Sequence, residues 1–270
     1  MKKITEQDSL YNNLDNMSTL DILKNINQED EKIAQAVKKS IPTIKELVDI
    51  SVKKISSGGR LFYIGSGTSG RLGILDASEC PPTFGVNNNL IIGLIAGGDI
   101  AIKTSIEHAE DDYNQAWIDL TKYNINKKDV VLGISASGTT PYVIGGLNQC
   151  QKNNIYTGSI TCNQEVIISQ HSDICIPIIV GPEFLTGSTR MKSGTAQKMV
   201  LNMISTGIMI KLGHVIDNKM IDMKIKNNKL EERGINIIMD ILKISQDQAR
   251  LLINKHGSVR SAINSINNNV

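Results

Sequence analysis

The sequence predicts an α/β protein: a doubly wound parallel sheet flanked by helices, followed by a small C-terminal helical subdomain. Three observations predict it. Short apolar runs alternate with longer helical stretches, and wholly apolar strands are those buried on both faces of a parallel sheet. Segments rich in Gly, Ser and Thr follow these runs, at the carboxyl ends where open parallel sheets bind ligands. Beyond Gly213 the apolar runs give way to short, polar helical segments.

The elements follow in order. Asp15 to Asn27 reads as a short helix with Ser18 or Thr19 as its cap. Glu31 to Ile55 is a longer helical stretch, with Ile33, Val37, Ile41, Ile44, Val48 and Val52 at helical spacing. Pro42 kinks or divides it, and Gly58-Gly59 ends it. "RLFYIG" is a strand, Thr68 to Ser78 a helix, "LIIGLIAGG" a second strand, and Ile100 to Leu120 a second helix. "DVVLGIS" is the third strand, before a helix from Pro141 to Lys152. "YTGSIT" and "DICIPIIV" are shorter strands, and a long helix runs from Met191 to Leu212. "SQDQARLLINKHGSVRSAINSI" reads as a helix-turn-helix pair around Gly257. The expected divisions are N-terminal helices over residues 1–56, the α/β domain over 57–215 and the helical subdomain over 216–270.

Composition narrows the function classes. At 270 residues and 40% hydrophobic content the chain can bury a substantial core. A net charge of +2 with scattered basic residues gives no electrostatic reason to expect nucleic acid or an anionic membrane, and 4% aromatic content is too little for a base-stacking platform. No apolar run reaches a spanning length, and "MKKITEQDSLYNNLDNM" lacks the apolar core of a signal peptide. Cys80, Cys150, Cys162 and Cys175 lack C-x-x-C spacing and read as reduced thiols of a cytoplasmic protein, without disulfides or a zinc site.

Two loops carry the chemistry. In "YIGSGTSGRL", Gly65, Gly67 and Gly70 spell G-x-G-x-x-G, the dinucleotide fingerprint. That fingerprint needs an acidic residue about 20 positions on, at the end of the second strand. Leu90 stands there, and Asp99 comes late. The loop is instead crowded with Ser66, Thr68 and Ser69, and hydroxyls with backbone N–H groups at a helix N-terminus suit a phosphate monoester. "SASGTTPYV" repeats the theme after the third strand: Ser135, Ser137, Thr139 and Thr140 open onto a helix with Pro141 early in it. This second loop alone reads as an ordinary capped turn. Two at neighbouring strand ends favour a small-molecule sugar phosphate.

"SASGTT" resembles the phosphate loop of sugar isomerase (SIS) domains, and the order of loops is also theirs. "GPEFLTGSTRMKSGTAQK", residues 181–198, resembles the signature shared by N-acetylmuramic acid 6-phosphate etherases and the glucokinase regulatory protein. "GRLGILDASECPPTFG", "IAGGD", "LDNMSTLDILKNINQED" and "ARLLINKHGSVRSAI" are similar to the etherase pattern itself. His108 in "EHAED" departs from it, standing where a small residue is expected. The resemblance spans nearly the whole chain and implies an SIS-type sheet. It implies a lyase that removes D-lactate from C3 of the sugar phosphate and adds water, with no metal and no cofactor. Its two catalytic glutamates map to Glu79 in "DASECPPTF" and Glu110 in "EHAEDD". We expect Glu110 to act as base and Glu79 as acid, because Ala77, Cys80, Pro81, Pro82 and Phe84 flank Glu79, and an apolar setting keeps a carboxyl protonated. An isolated "AEDD" would read as a solvated helix face.

The candidate phosphate contacts are Ser66, Thr68, Ser69, Ser135, Ser137 and Thr140. Ser188 and Thr189 are candidates for the sugar, with Glu183, Arg190 and Lys192 ordering the site. For Arg190 and Lys192 a solvated helix start is the competing reading. The resemblance also implies a homodimer with the N-terminal helices packed across it. Two other functions fit the same fold: a sugar-phosphate-sensing regulator without catalysis, and an aldose–ketose isomerase. The isomerase leaves "ASECPPTFG" unexplained, and the glutamate pair favours the etherase.

Overall fold

The computed structural model describes residues 3–225 and 227–267. It divides into two compact units: the described residues up to Ala77 with Asn89–Gly207, and Ser78–Asn88 with the described residues from Ile208 onward.

The first unit opens with three helices, α1 (Thr19–Asp30), α2 (Ile33–Lys39) and α3 (Ile41–Ser56). Ser18 caps α1 by accepting from the Asp21 N–H. Pro42 lies in the first turn of α3, where its missing N–H costs nothing, so it divides the stretch into two helices. Then come β1 (Leu61–Gly65), α4 (Gly67–Phe84), β2 (Ile91–Ile95), α5 (Ile100–Lys103), α6 (Gln115–Thr121), β3 (Val130–Ile134), α7 (Pro141–Lys152), β4 (Tyr156–Thr161), β5 (Ile174–Pro177) and α8 (Lys192–Lys211).

The strands form one parallel sheet in the order β2-β1-β3-β4-β5. Gly65 pairs with Ile95 on one side and Ile134 on the other, so β1, β2 and β3 end level. Between β1 and β3 the strand order reverses. This is the switch point where such sheets open a crevice for ligands. Side chains alternate across the sheet. Phe62, Ile64 and Val131 pack with Ala116 and Leu120 of α6 and Tyr142, Val143 and Leu147 of α7. On the other face, the Tyr63 hydroxyl reaches Asp76 of α4, and Gly158 lets Leu132 and Leu47 of α3 approach.

Two helices differ from the sequence expectation. The helix expected over Ile100 to Leu120 is broken into α5, a 3-10 turn over Glu107–Asp111, and α6. Asp112 Oδ1 accepts from the N–H groups of Asn114 and Gln115 and so starts α6 afresh, a side-chain competitor that apolar spacing does not register. The helix expected to stop at Ser78 continues through Pro81 and Pro82 to Phe84, its Cys80 and Phe84 side chains buried.

Asp76 is 9% exposed and accepts from the hydroxyls of Tyr63 and Ser205, each at 3.0 Å. Burial pushes its pKa from 3.8 up to about 6, against the downward pull of those hydrogen bonds and of Lys198. Between the two values the native state holds a proton that the unfolded chain has released. The resulting stabilisation is complete below the unfolded pKa and is lost as pH rises through about 6. Asp76→Asn removes this dependence. Its stability relative to the parent should therefore rise by roughly 3 kcal/mol from acid to neutral pH, read from urea midpoints. A difference that stays flat with pH would exclude titration of Asp76.

Cys80, Cys150 and Cys162 are buried thiols and Cys175 is half-buried. Burial pushes the Cys150 and Cys162 thiols up to about 12, so neither is a nucleophile at neutral pH.

The second unit contains a hairpin of β6 (Val215–Ile216) and β7 (Lys219–Met220), then α9 (Asn228–Leu242), α10 (Gln246–His256) and α11 (Val259–Asn267). Ile221, Ile235, Ile238, Ala249, Ile253, Val259 and Ile263 form its core. A Ser245–Gln248 capping box starts α10, and Gly257 in the left-handed region ends it. Asp222 holds this end together, accepting from Arg260 and pairing with His214 Nδ1 at 2.8 Å. Residues 78–88 join through Lys224, whose N–H donates to Pro82 O at 3.1 Å.

Candidate functional site

The loop after β1 is shaped by its glycines. Gly67 has φ +49°, and a Cβ at Gly70 would lie 2.5 Å from Ile95 Cγ1 and 2.8 Å from Gly65 O. Only glycines allow the first turn of α4 to sit this close to the strand ends. Ser66 and Thr68 are half-buried there, and the Ser66 hydroxyl donates to Glu110 Oε2 at 2.8 Å. Ser69 behaves differently. It is 8% exposed, and its hydroxyl donates to Gln197 Oε1 of α8 at 2.9 Å. Gln197 is itself buried, and its Nε2 has no partner among the described residues.

The loop after β3 is a network of hydroxyls. Ser135 Oγ lies 2.8 Å from Thr140 Oγ1 and 3.3 Å from Ser137 Oγ, and accepts from the Gly138 N–H at 3.1 Å. The Thr139 N–H and hydroxyl both donate to Ser137 Oγ. Gly138 has φ +69°, and a Cβ there would lie 2.3 Å from Val166 Cγ2. Ser135 and Thr140 are buried and Ser137 is half-buried, at the N-terminus of the α7 helix. This end suits an anion: oriented hydroxyls meet a helix dipole.

The segment before α8 is ordered by buried charge. Glu183 accepts from the N–H groups of Lys192 and Ser193 and from the Ser193 hydroxyl, satisfying the first donors of the helix. Lys192 is buried, and its Nζ donates to Glu29 Oε2 of α1 at 2.6 Å. The solvated reading of Lys192 is therefore overturned, whereas Arg190 is exposed. Ser188 and Thr189 are half-buried in the turn between. A Cβ at Gly194 would lie 3.3 Å from Thr68 Cγ2 and 3.5 Å from Thr189 O, so this turn neighbours the first loop.

Glu110 is exposed on its 3-10 turn and lines a small cavity of about 30 Å³ with Ser66, Arg71, Ser105, Ile106 and Glu107. Arg71, whose Nε donates to Ile102 O at 3.0 Å, escaped the list of sequence candidates although it directly follows Gly70 of the glycine motif. Asn163 and Lys3, described below, escaped it with no local signal at all. Glu79 belongs to the second unit and is exposed on α4. Among the described residues, the apolar enclosure expected of it is absent. Ala77, Cys80 and Phe84 occupy the buried side of the helix, and Glu79 projects from the other. His108 is likewise exposed.

Comparison with known proteins places the chain among its relatives. Residues 43–151 match the family model of the glucokinase regulatory protein N-terminal SIS domain, and residues 108–206 match that of the SIS domain. The chain is 58% identical over 264 residues to the N-acetylmuramic acid 6-phosphate etherase of Christiangramia forsetii, covering 98% of this chain and 96% of that one. It is 54% identical over 261 residues to the protein of the same name from Bacteroides thetaiotaomicron, covering 97% and 94%. A solved phosphoheptose isomerase from Francisella tularensis shares the fold. Its TM-score is 0.54 at 18% identity, over 71% of this chain and 98% of that one.

Proposed function

Because the chain belongs to the N-acetylmuramic acid 6-phosphate etherase family, we infer that it cleaves the D-lactyl ether of that sugar phosphate, giving N-acetylglucosamine 6-phosphate and D-lactate. The observation that carries this reading is the 58% identity across 98% of the chain. The two hydroxyl-rich loops beside the β1/β3 switch point support it.

The chemistry needs two carboxyl groups. A plain ether leaves poorly, but the ring-opened sugar has an aldehyde at C1 that acidifies the C2 hydrogen. The lactate oxygen on C3 is then β to the developing carbanion. Glu110 takes the C2 proton, and Glu79 protonates the lactate oxygen as the C3–O bond breaks. Water then adds at C3 of the unsaturated aldehyde. Each acid–base group contributes about 10²–10⁴-fold. Ser66 supports the base role by orienting the Glu110 carboxylate. The 6-phosphate is held by the Ser66 N–H and by Thr68, Ser135, Ser137 and Thr140, the Ser66 hydroxyl being committed to Glu110, with Ser69 acting through Gln197 and with Ser188 and Thr189 toward the sugar. In this reading the protein works as a cytoplasmic homodimer in cell-wall amino sugar breakdown. Its four cysteines, present as thiols, suit a reducing compartment.

Release of D-lactate from N-acetylmuramic acid 6-phosphate by the purified protein tests the function. A regulator remains the second reading, favoured by the family-model match over residues 43–151. Tight binding of the sugar phosphate without lactate release would select it. Ser137→Ala should raise KM by about 10-fold or more, since a hydrogen bond to a charged oxygen contributes about 1.5–3 kcal/mol. An unchanged KM would remove this loop from the site.

A further inference from the structure

We propose that the N-terminal arm, residues 3–11, is part of the sugar-phosphate site: Thr5 and Asn163 position the Ser135–Thr140 loop, and Lys3 supplies it with positive charge. The proposal rests on the reading of that loop as the phosphate site.

The loop carries no basic side chain from Ser135 to Thr140, yet a phosphate monoester brings nearly two negative charges. The cation comes from the far end of the sequence. Lys3 Nζ donates to Thr139 Oγ1 at 2.8 Å, and Thr139 Oγ1 donates to Ser137 Oγ at 3.1 Å. The ammonium group thus sits one hydroxyl away from Ser137, and it polarises the hydrogen bond that follows.

Two residues on, the arm locks the backbone of the same loop. Asn163 is 2% exposed, and its Nδ2 lies 3.1 Å from Ala136 O, 3.2 Å from Ser137 O and 2.9 Å from Thr5 Oγ1. Thr5, 1% exposed, returns its N–H to Asn163 Oδ1 at 3.2 Å. The two residues therefore exchange hydrogen bonds while Asn163 grips two successive loop carbonyls. Turning the loop would break several buried bonds at once, so its hydroxyls are held before ligand arrives.

The arm continues to the second sugar-facing segment. The Ser9 N–H donates to Thr186 Oγ1 at 2.9 Å, the Ser9 hydroxyl donates to Phe184 O at 2.7 Å, and the Tyr11 ring lies 5.2 Å from that of Phe184. One stretch of chain therefore ties the Ser135–Thr140 loop to the segment bearing Ser188 and Thr189. A tether needed only for stability has no reason to place an ammonium on the loop's hydroxyl chain.

The test uses N-acetylglucosamine 6-phosphate binding by calorimetry, alongside KM and kcat. Lys3→Met and Thr5→Val should each weaken binding and raise KM about ten-fold, with kcat changed less than about two-fold. Thr5→Ser, which keeps the hydroxyl, should restore the parent values. Lys3→Met should also flatten the salt dependence of binding while leaving Tm unchanged, because the side chain is exposed. Should Thr5→Val fail to fold, the exposed Lys3→Met decides. Parent-like binding in Lys3→Met and Thr5→Val would overturn the arm's role and leave the loop as phosphate site. A fall in kcat at constant KM would overturn the positioning role. No binding by the parent protein would overturn the loop reading itself, and the arm's role with it.

Discussion

Glu110→Ala should lose both lactate release and exchange of the C2 hydrogen with solvent deuterium. Exchange reports carbanion formation, which needs the base and does not need departure of the ether. Removing a general base costs about 10²–10⁴-fold, and here it blocks the step on which all later ones depend. Glu79→Ala should behave differently, releasing little lactate yet still exchanging the C2 hydrogen. Water labelled with heavy oxygen should leave its label on C3 of the sugar and none in lactate. Label in lactate would mean attack on the lactyl carbon and would remove the elimination scheme. Exchange retained in Glu110→Ala but lost in Glu79→Ala would keep the scheme and interchange the two roles. That comparison carries weight because the exposure of Glu79 withdraws the environmental argument for its being the acid.

Lys192→Met should destabilise the fold by about 3–5 kcal/mol, near the lower end. It leaves Glu29, 2% exposed, without its buried cation. Lys32 remains 2.5 Å away but is half-exposed and screened. Pairing with Glu29→Gln should recover much of the loss, since the glutamine can still accept from Tyr11 and brings no charge. Burial tends to raise the Glu29 pKa. The hydrogen bonds from Lys192 and Lys32, the Lys192 charge and the Tyr11 hydroxyl outweigh it and hold the pKa below 4.5. The pair's contribution is therefore present above that value and is lost as pH falls through the lowered pKa. Urea unfolding at neutral and acid pH measures both effects. A single-variant loss below about 1 kcal/mol would mean that the pair is effectively solvated.

Much of the sheet was legible in the sequence, for a physical reason. β1 and β3 are buried on both faces, so their apolar runs stand out from everything around them. α7 runs from Pro141 to Lys152 as expected, because proline fixes a first turn. The region over Ile100 to Leu120 was misread because Ile102, Ile106 and Trp117 fall at helical spacing, while Asp112 caps a new helix through its side chain. The β6–β7 hairpin has strands too short to show a period. At the candidate site, the two hydroxyl-rich loops were readable as helix starts, because hydroxyls next to glycine before a helix are a local pattern. The setting of Glu79 was misjudged because neighbours in sequence are not neighbours on a helix face. Lys3 and Asn163 were invisible, since 136 residues separate Lys3 from its partner.

The pairing of Glu29 with Lys192 spans 163 residues, which gives it a place in time as well as in space. During synthesis at about 5–20 residues per second, Glu29 is made roughly 8–30 s before its partner. Through that interval α1 has no buried cation to dock against, and burying its carboxylate early is unfavourable. The helix should therefore be among the last parts of its unit to settle, after the sheet has condensed. Late-forming contacts of this kind are absent from the transition state for folding. Weakening them accelerates unfolding and leaves the folding rate nearly unchanged. Weakening this junction should therefore shorten the persistence of the native protein more than it slows its formation.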